Sequence, residues 1–399
     1  MRNIVLVTLL SIAVAGCKQP ASSIPYPSFA TVAAEIIEVE GSADPIYRGG
    51  YGSSMVYHPA DSCFYLLTDR GPNVDGTTPE SKVFPITDYA PTIGRFRLQG
   101  DSLILLEKIV LKDSLGQRLT GLPNSEGDGV TGEVAYNLSG DVIKNPSRGI
   151  DSEGLAIAPD GTFWVSDEYA PFIMQFSRSG KLLQELSPSR GLPDYYAKRR
   201  PNRGMEGLTI SKDGRKLFGI MQSPLYLPSK VTKDVSVNNR IIEIDLQNGN
   251  TREFIYTMES PLNMISEICL VNDSSMLVLE RDGEFPQAGK GFKRVYQIDI
   301  KKAIDISGKE IEMLSAQQLS QQGIIPASKR LLVDLMAAIP SYRHDKPEGI
   351  SLIGDSILCV VNDDDFGINA TADGKYTPKL DVKGELDRNT VYFIAVNLK

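Results

Sequence analysis

Histidine is nearly missing from this chain of 399 residues: His58 and His344 are the two it has. That scarcity excludes a His-rich zinc site and the H-E-x-x-H arrangement. It also excludes a phosphatase built on an Arg-His-Gly nucleophile, because neither histidine stands between Arg and Gly. Cysteine is sparse too. Cys17, Cys63, Cys269 and Cys359 form no C-x-x-C pair, so there is no zinc ribbon and no thioredoxin-type motif. G-x-S-x-G and G-x-x-x-x-G-K-[ST] are both absent. Blocks of basic charge are absent as well: 42 Lys+Arg against 50 Asp+Glu leave a net charge of −8, which disfavours nucleic acid as a partner. The 35 glycines and 24 prolines show no three-residue period, so collagen is excluded. What is present, 41% apolar and 23% charged residues, is globular composition, and a monomer is expected.

The first residues read as an address. Arg2 precedes an apolar stretch, Ile4 to Ala15, that is shorter than the roughly 20 residues needed to span a bilayer. Val14-Ala15-Gly16-Cys17 resembles the end of a bacterial lipoprotein signal, which implies cleavage after residue 16, lipidation of Cys17 and anchoring in the cell envelope. An ordinary secretory signal with an incidental cysteine is the alternative. Residues 17–31 read as a Pro- and Ser-containing tether, and 32–399 as the domain proper. Export permits disulfides, but Cys63, Cys269 and Cys359 are an odd number, and none is expected to be bridged.

A repeat organises the rest. Glu153-Gly-Leu-Ala-Ile157, Glu206-Gly-Leu-Thr-Ile210, Glu267-Ile-Cys-Leu-Val271 and Glu348-Gly-Ile-Ser-Leu352 each lead into an Asp-Gly or Asp-Ser turn and a second apolar run. A weaker copy starts at Ser53. Short β-rich runs joined by such turns are antiparallel hairpins. Further strands follow, including Phe172–Phe176, Arg240–Leu246 and Arg294–Ile300. The pattern predicts an all-β fold, a β-propeller with five or six four-stranded blades. Glu35–Glu40 is the expected closing strand, and residues 112–149 are either a sixth blade or a long loop over one face.

In such a ring Glu153, Glu206, Glu267 and Glu348 would meet around one axis. Converging carboxylates raise one another's pKa unless cations or basic side chains join them. Hard oxygen donors suit Ca2+; a solvated channel paired with Arg and Lys is the alternative.

Thr68-Asp-Arg-Gly-Pro-Asn73, Gly149-Ile-Asp-Ser-Glu-Gly154, Phe163-Trp-Val-Ser-Asp-Glu-Tyr169, Arg199-Arg-Pro-Asn-Arg-Gly-Met-Glu-Gly207, Lys346-Pro-Glu-Gly349 and Val361-Asn-Asp-Asp-Asp365 occur in order. A chain with these motifs resembles the phytase-like family described by the esterase-like activity of phytase. The resemblance implies metal-dependent hydrolysis of a small phosphate ester or other ester at the channel mouth. Cations would be held among Glu153, Glu168, Glu206, Glu267, Glu280, Asp282, Glu348 and Asp363. Glu153, Glu206 and Asp167 are the expected catalytic carboxylates, with Arg203 stabilising charge; Arg70, Asn73, Tyr169, Arg200, Arg281 and Lys346 would bind substrate. His344, four residues before Glu348, is the one histidine placed to reach the mouth, and Trp164 reads as core. Asp167, Asp282 and Asp363 have a second reading as turn caps. Competing functions are a non-catalytic binding lipoprotein and a lactonase-like calcium propeller.

Overall fold

The computed structural model describes residues 24–32, 35–37, 39, 44–287 and 290–398. The address segment, with Cys17, lies outside the described residues. Asp-Gly and Asp-Ser turns close the expected hairpins, and strands dominate. Among the described residues the strands group into sets of four, of which those called units I and V below are joined edge to edge in one eight-stranded sheet and unit II carries a fifth short strand. Unit I is Ser54–His58, Cys63–Leu67, Thr92–Gln99 and Ser102–Val110. Unit II is Ser152–Ile157, Phe163–Asp167, Phe172–Phe176 and Leu182–Pro188. Unit III is Met205–Ile210, Lys216–Met221, Asn238–Asp245 and Thr251–Thr257. Unit IV is Met264–Leu270, Ser275–Arg281, Lys293–Asp299 and Ser328–Asp334. Unit V is Pro347–Ile353, Ile357–Asn362, Thr390–Ala395 and, from the other end of the chain, Phe29–Val32.

The first strand of each unit packs against the first strands of both neighbours, so the five make a ring of the β-propeller kind. Each junction has its own apolar cluster. Trp164 and Ile242 meet between units II and III, Phe218 and Ile268 between III and IV, and Leu279 and Ile350 between IV and V. A sheet covered on both faces needs near-continuous apolar strands rather than alternating ones. The second strands have that character: every residue of Phe163–Asp167, Ser275–Arg281 and Ile357–Asn362 is buried. Trp164 is core, as its sequence context implies.

Two expectations need correction, and one open alternative is resolved. The closing strand is Phe29–Val32, pairing antiparallel with Thr390–Ala395 (Ala30 opposite Val391) and parallel with the outer strand of unit I. Glu35–Ile37 instead forms a small hairpin with Ile46–Arg48. The domain therefore begins inside the segment read as a tether, because Ala30 and Val32 are fully buried. Residues 112–149 are a long excursion rather than a sixth unit; their strand Val134–Tyr136 joins Ser81–Val83 and Val74–Asp75 in a small sheet. That sheet, the hairpin Ile368–Ala370/Tyr376–Pro378 and their shared apolar cluster around Ile46, Val74, Phe366 and Ile368 cap one end of the ring. Cys63, Cys269 and Cys359 are free thiols.

Candidate functional site

The heads of the inner strands decide what reaches the axis. In units II, III, IV and V the ladder slips there, between Ser152 and Leu155, Met205 and Leu208, Ile265 and Glu267, and Pro347 and Gly349. A bulge re-aims the side chain it carries. Glycine follows because the strands almost touch: a Cβ on Gly154 would lie 2.4 Å from the Glu206 carbonyl oxygen, and one on Gly207 2.5 Å from the Ile268 nitrogen. Glu153, Glu206 and Glu348 are thereby turned into one cavity of about 550 Å3 at the capped end.

Unit IV breaks the pattern by one residue. Ser266 occupies its bulge, and Glu267 takes the position that is glycine in units II, III and V. Glu267 does not line the cavity at the mouth. Its carboxylate is buried in the ring, accepting from Ser54 Oγ and from the amides of Leu208 and Ile268, both at 3.0 Å. Burial holds its pKa well above the usual carboxylate range.

Two halves of the cavity wall differ in charge pairing. On the side of units II and III, Asp151, Glu153 and Glu168 each place a carboxylate oxygen within 4.8 Å of the others. Glu153 is 8% exposed and makes no hydrogen bond or ion pair among the described residues. Asp151 accepts from the Arg70 amide at 3.1 Å and lies 3.5 Å from its guanidinium, which Glu133 shares at 3.1 Å. Gln222 Nε2 donates to both Glu168 (2.6 Å) and Glu206 (2.9 Å). Burial, then the neighbouring acids, pushes Glu168 up to about 8 and holds Glu153 and Glu206 well above their ordinary value. Arg200 and Arg203 line the same cavity, half-buried and without an ion pair among the described residues. Burial and Arg200 pull Arg203 down to about 10.

The segment leading into the turn that presents these arginines is held in place. Tyr196 is buried and donates to Glu253 at 2.6 Å, and Arg199 donates to the Tyr169 carbonyl at 2.8 Å. Within the turn the Arg203 amide donates to the Arg200 carbonyl at 3.1 Å, and Asn202 adopts φ +53. Asn is among the residues that tolerate that left-handed conformation.

On the side of units IV and V the acids have basic partners. Arg281 pairs with Glu348. Lys346 Nζ lies 2.5 Å from Asp365 and 3.7 Å from Asp363. The fully buried Lys379 Nζ meets Asp345 at 2.8 Å, Asp365 at 2.7 Å and Asp387 at 3.3 Å. These ammonium groups hold Asp365 far below the usual range despite its burial. At the longer distance Asp363 stays well above it, through burial and the charge of Asp365.

A family profile described as "Phytase-like: Esterase-like activity of phytase" matches residues 47–366. The chain belongs to this family. The match covers units I to IV and the first two strands of unit V, and leaves out the strand pair that closes the ring. An uncharacterized secreted protein of Arthroderma benhamiae is 27% identical over 69% of this chain and 68% of its own length. Solved structures with similarity include a Xanthomonas campestris gluconolactonase (8% identity, 94% of this chain and 99% of that one, TM-score 0.39). A Streptomyces coelicolor aldose sugar dehydrogenase in its PQQ-bound form gives 10% identity, 92% and 98% coverage and a TM-score of 0.35.

In this phytase-like chain the expected site residues divide. Glu153, Glu168, Glu206, Glu348, Asp363, Arg70, Asn73, Arg200, Arg203, Arg281 and Lys346 line one cavity. Asp167, Glu267, Glu280, Asp282 and Tyr169 do not. Asp167 ties the turn, accepting at 3.0 Å from the amides of Asp151 and Tyr169. Glu280 is consumed by Tyr256, Asn263 and Lys329. Asp282 accepts from the Phe292 amide and pairs with Lys293. Tyr169 is buried with its hydroxyl on the Gly121 carbonyl. His344 is also away from the mouth, buried between Asp387 (2.5 Å) and Tyr392 (2.9 Å).

Sequence reasoning missed Asp151, Gln222, Asp345 and the cap residues Val74, Asp75, Lys82 and Ile368–Ala370, which wall the cavity. Asp151 had a signal: it stands two residues before Glu153, the spacing that shares a face in extended chain. The cap had none, since its strands are two or three residues long and pair across the chain.

Proposed function

We propose that this protein is an exported five-bladed propeller hydrolase that uses a divalent cation, most suitably Ca2+, to cleave an anionic ester at the capped mouth of the ring. The carrying observation is Glu153: a carboxylate nine-tenths buried, unpartnered, and within 4.8 Å of Asp151 and Glu168. A buried charge without a partner is expensive, and a cation would relieve it. The donor set is all hard oxygen, which fits Ca2+ and does not fit zinc. A bound cation of this kind polarises an ester oxygen and acidifies its water.

The rest of the chemistry belongs to the chain. Arg200 and Arg203 offer forked donors to an anionic group on the substrate. Glu206, whose pKa burial holds well above the usual carboxylate range, is oriented by Gln222 and is the group proposed to deliver a proton to the leaving oxygen. Lys346 and Asn73 face the same space. Export is supported by the N-terminal address and by a relative described as secreted; lipid attachment at Cys17 is part of the proposal.

The test is turnover by the purified chain of phosphate monoesters, carboxylic esters and lactones, with Ca2+ and with chelator. Cation-dependent hydrolysis of phosphate esters that disappears in Glu153→Gln is expected. Cation-dependent turnover of lactones alone would favour the lactonase-like reading. A calcium-induced rise in melting temperature without any turnover would favour the binding lipoprotein. Turnover indifferent to chelation and to Glu153→Gln would overturn the assignment.

A further inference from the structure

We infer that the mouth takes a single inorganic cation per chain, because the acidic group on its far wall already carries its cations covalently, as Lys346 and Lys379. The inference rests on reading Asp151, Glu153 and Glu168 as the cation site. Five carboxylates stand on the far wall or directly behind it: Asp345, Glu348, Asp363, Asp365 and Asp387. Read as a list of acids, they would invite a second ion. The geometry shows where their charge goes.

Lys379 Nζ lies within 3.3 Å of three carboxylates, hydrogen-bonded to Asp365 and ion-paired with Asp345 and Asp387, and its side chain is fully buried. It thereby does for Asp345, Asp365 and Asp387 what a hard cation does for its ligands. Lys346 Nζ bridges Asp365 and Asp363, and Arg281 is bound to Glu348. A second ion would have to displace an ammonium that the backbone places: the Lys379 amide donates to Gly367 O at 2.8 Å and its carbonyl accepts from Asp387 at 2.8 Å. The near wall contrasts on the decisive point, since no lysine or arginine reaches Glu153 among the described residues. Asp363, at 3.7 Å from Lys346 the loosest member of the far group, is the carboxylate a second ion would require.

The experiment is calcium stoichiometry on the full chain, by equilibrium dialysis with radioactive calcium and by native mass spectrometry. One equivalent is expected for the parent chain and for Asp363→Asn, and none for Glu153→Gln or, as a second variant, Glu168→Gln. Two or more equivalents in the parent chain would overturn the inference while leaving the proposed function standing. So would one equivalent that survives Glu153→Gln and is lost in Asp363→Asn. No calcium bound to the parent chain would overturn the cation site itself, and both readings with it.

Discussion

The two walls of the mouth are built from the same structural element, the head of an inner strand with its bulge, and yet they have opposite electrostatic character. On the wall of units IV and V each acid has an ammonium or guanidinium within 4.0 Å, down to Lys379 among three carboxylates. On the wall of units II and III, Asp151, Glu153, Glu168 and Glu206 crowd together with an ion pair at Asp151 alone, to Arg70, while Arg200 and Arg203 stay unpaired in the same cavity among the described residues. Stability demands pairing of buried charge. A site that must receive a cation and an anion has to leave both kinds of group unsatisfied, and the wall of units II and III does so.

The largest effect that tests this contrast is on the paired wall. Lys379→Met should destabilise the fold by about 3–5 kcal/mol, because it strands Asp345 in the interior and removes one partner each from Asp365 and Asp387, which keep Lys346 and His344. Denaturant unfolding measures it; a loss near zero would show that those acids are not held by the lysine. On the open wall Glu153→Gln should leave the melting temperature of chelated protein unchanged or raised, yet lower turnover by about a hundredfold or more, as loss of a metal site does. A fall in chelated stability instead would make Glu153 a structural residue.

Arg203→Ala should weaken substrate use by roughly tenfold to a hundredfold, the worth of a hydrogen bond to a charged group. Steady-state kinetics on an anionic and a neutral ester separates this from general damage, since only the anionic ester should suffer. Gly154→Ala sharpens the shared part of the comparison. Its Cβ would fall 2.4 Å from the Glu206 carbonyl, so a loss of about 1–3 kcal/mol is expected from crowding alone.

The smallest effect is in pH dependence, and its sign differs between Glu168 and Asp365. Glu168, raised to about 8 in the folded chain, binds more protons folded than unfolded above its ordinary value. Its contribution is complete below about pH 4.3 and is lost as pH rises through 8. Asp365 is lowered, so its contribution is present above about pH 3.9 and is lost as pH falls further. Chelated protein should therefore lose a few degrees of melting temperature between pH 5 and pH 8. Calcium should restore more at pH 8 than at pH 5, because it competes with protons for the same oxygens. Equal restoration at both would separate the calcium site from Glu168.

The ring was legible in the sequence because its signal is local. Apolar runs, Asp-Gly turns and the recurring Glu-Gly head report strand after strand, and Glu153, Glu206 and Glu348 do share one cavity. Glu267 shows the limit. It matches the repeat by letter, but the strand slips at Ser266, and a one-residue shift in an extended chain sends the side chain elsewhere. Asp282 and Glu280 sit in acidic clusters like Glu168, yet Lys293, at the head of the next strand, and Lys329, one strand further, neutralise them.

By its sequence alone the chain determined the all-β class, the turns that close most hairpins, the recurring Glu head of the repeat and the small set of acids and arginines able to work there. These follow from periodicity and from residue type, which are properties of neighbours along the chain. Which strand closes the ring, which acids are paired and which stay open were decided only in three dimensions. A carboxylate's charge depends on what stands within a few ångströms, and for Glu153, Asp365 and Glu280 those partners, or their absence, come from elsewhere in the fold.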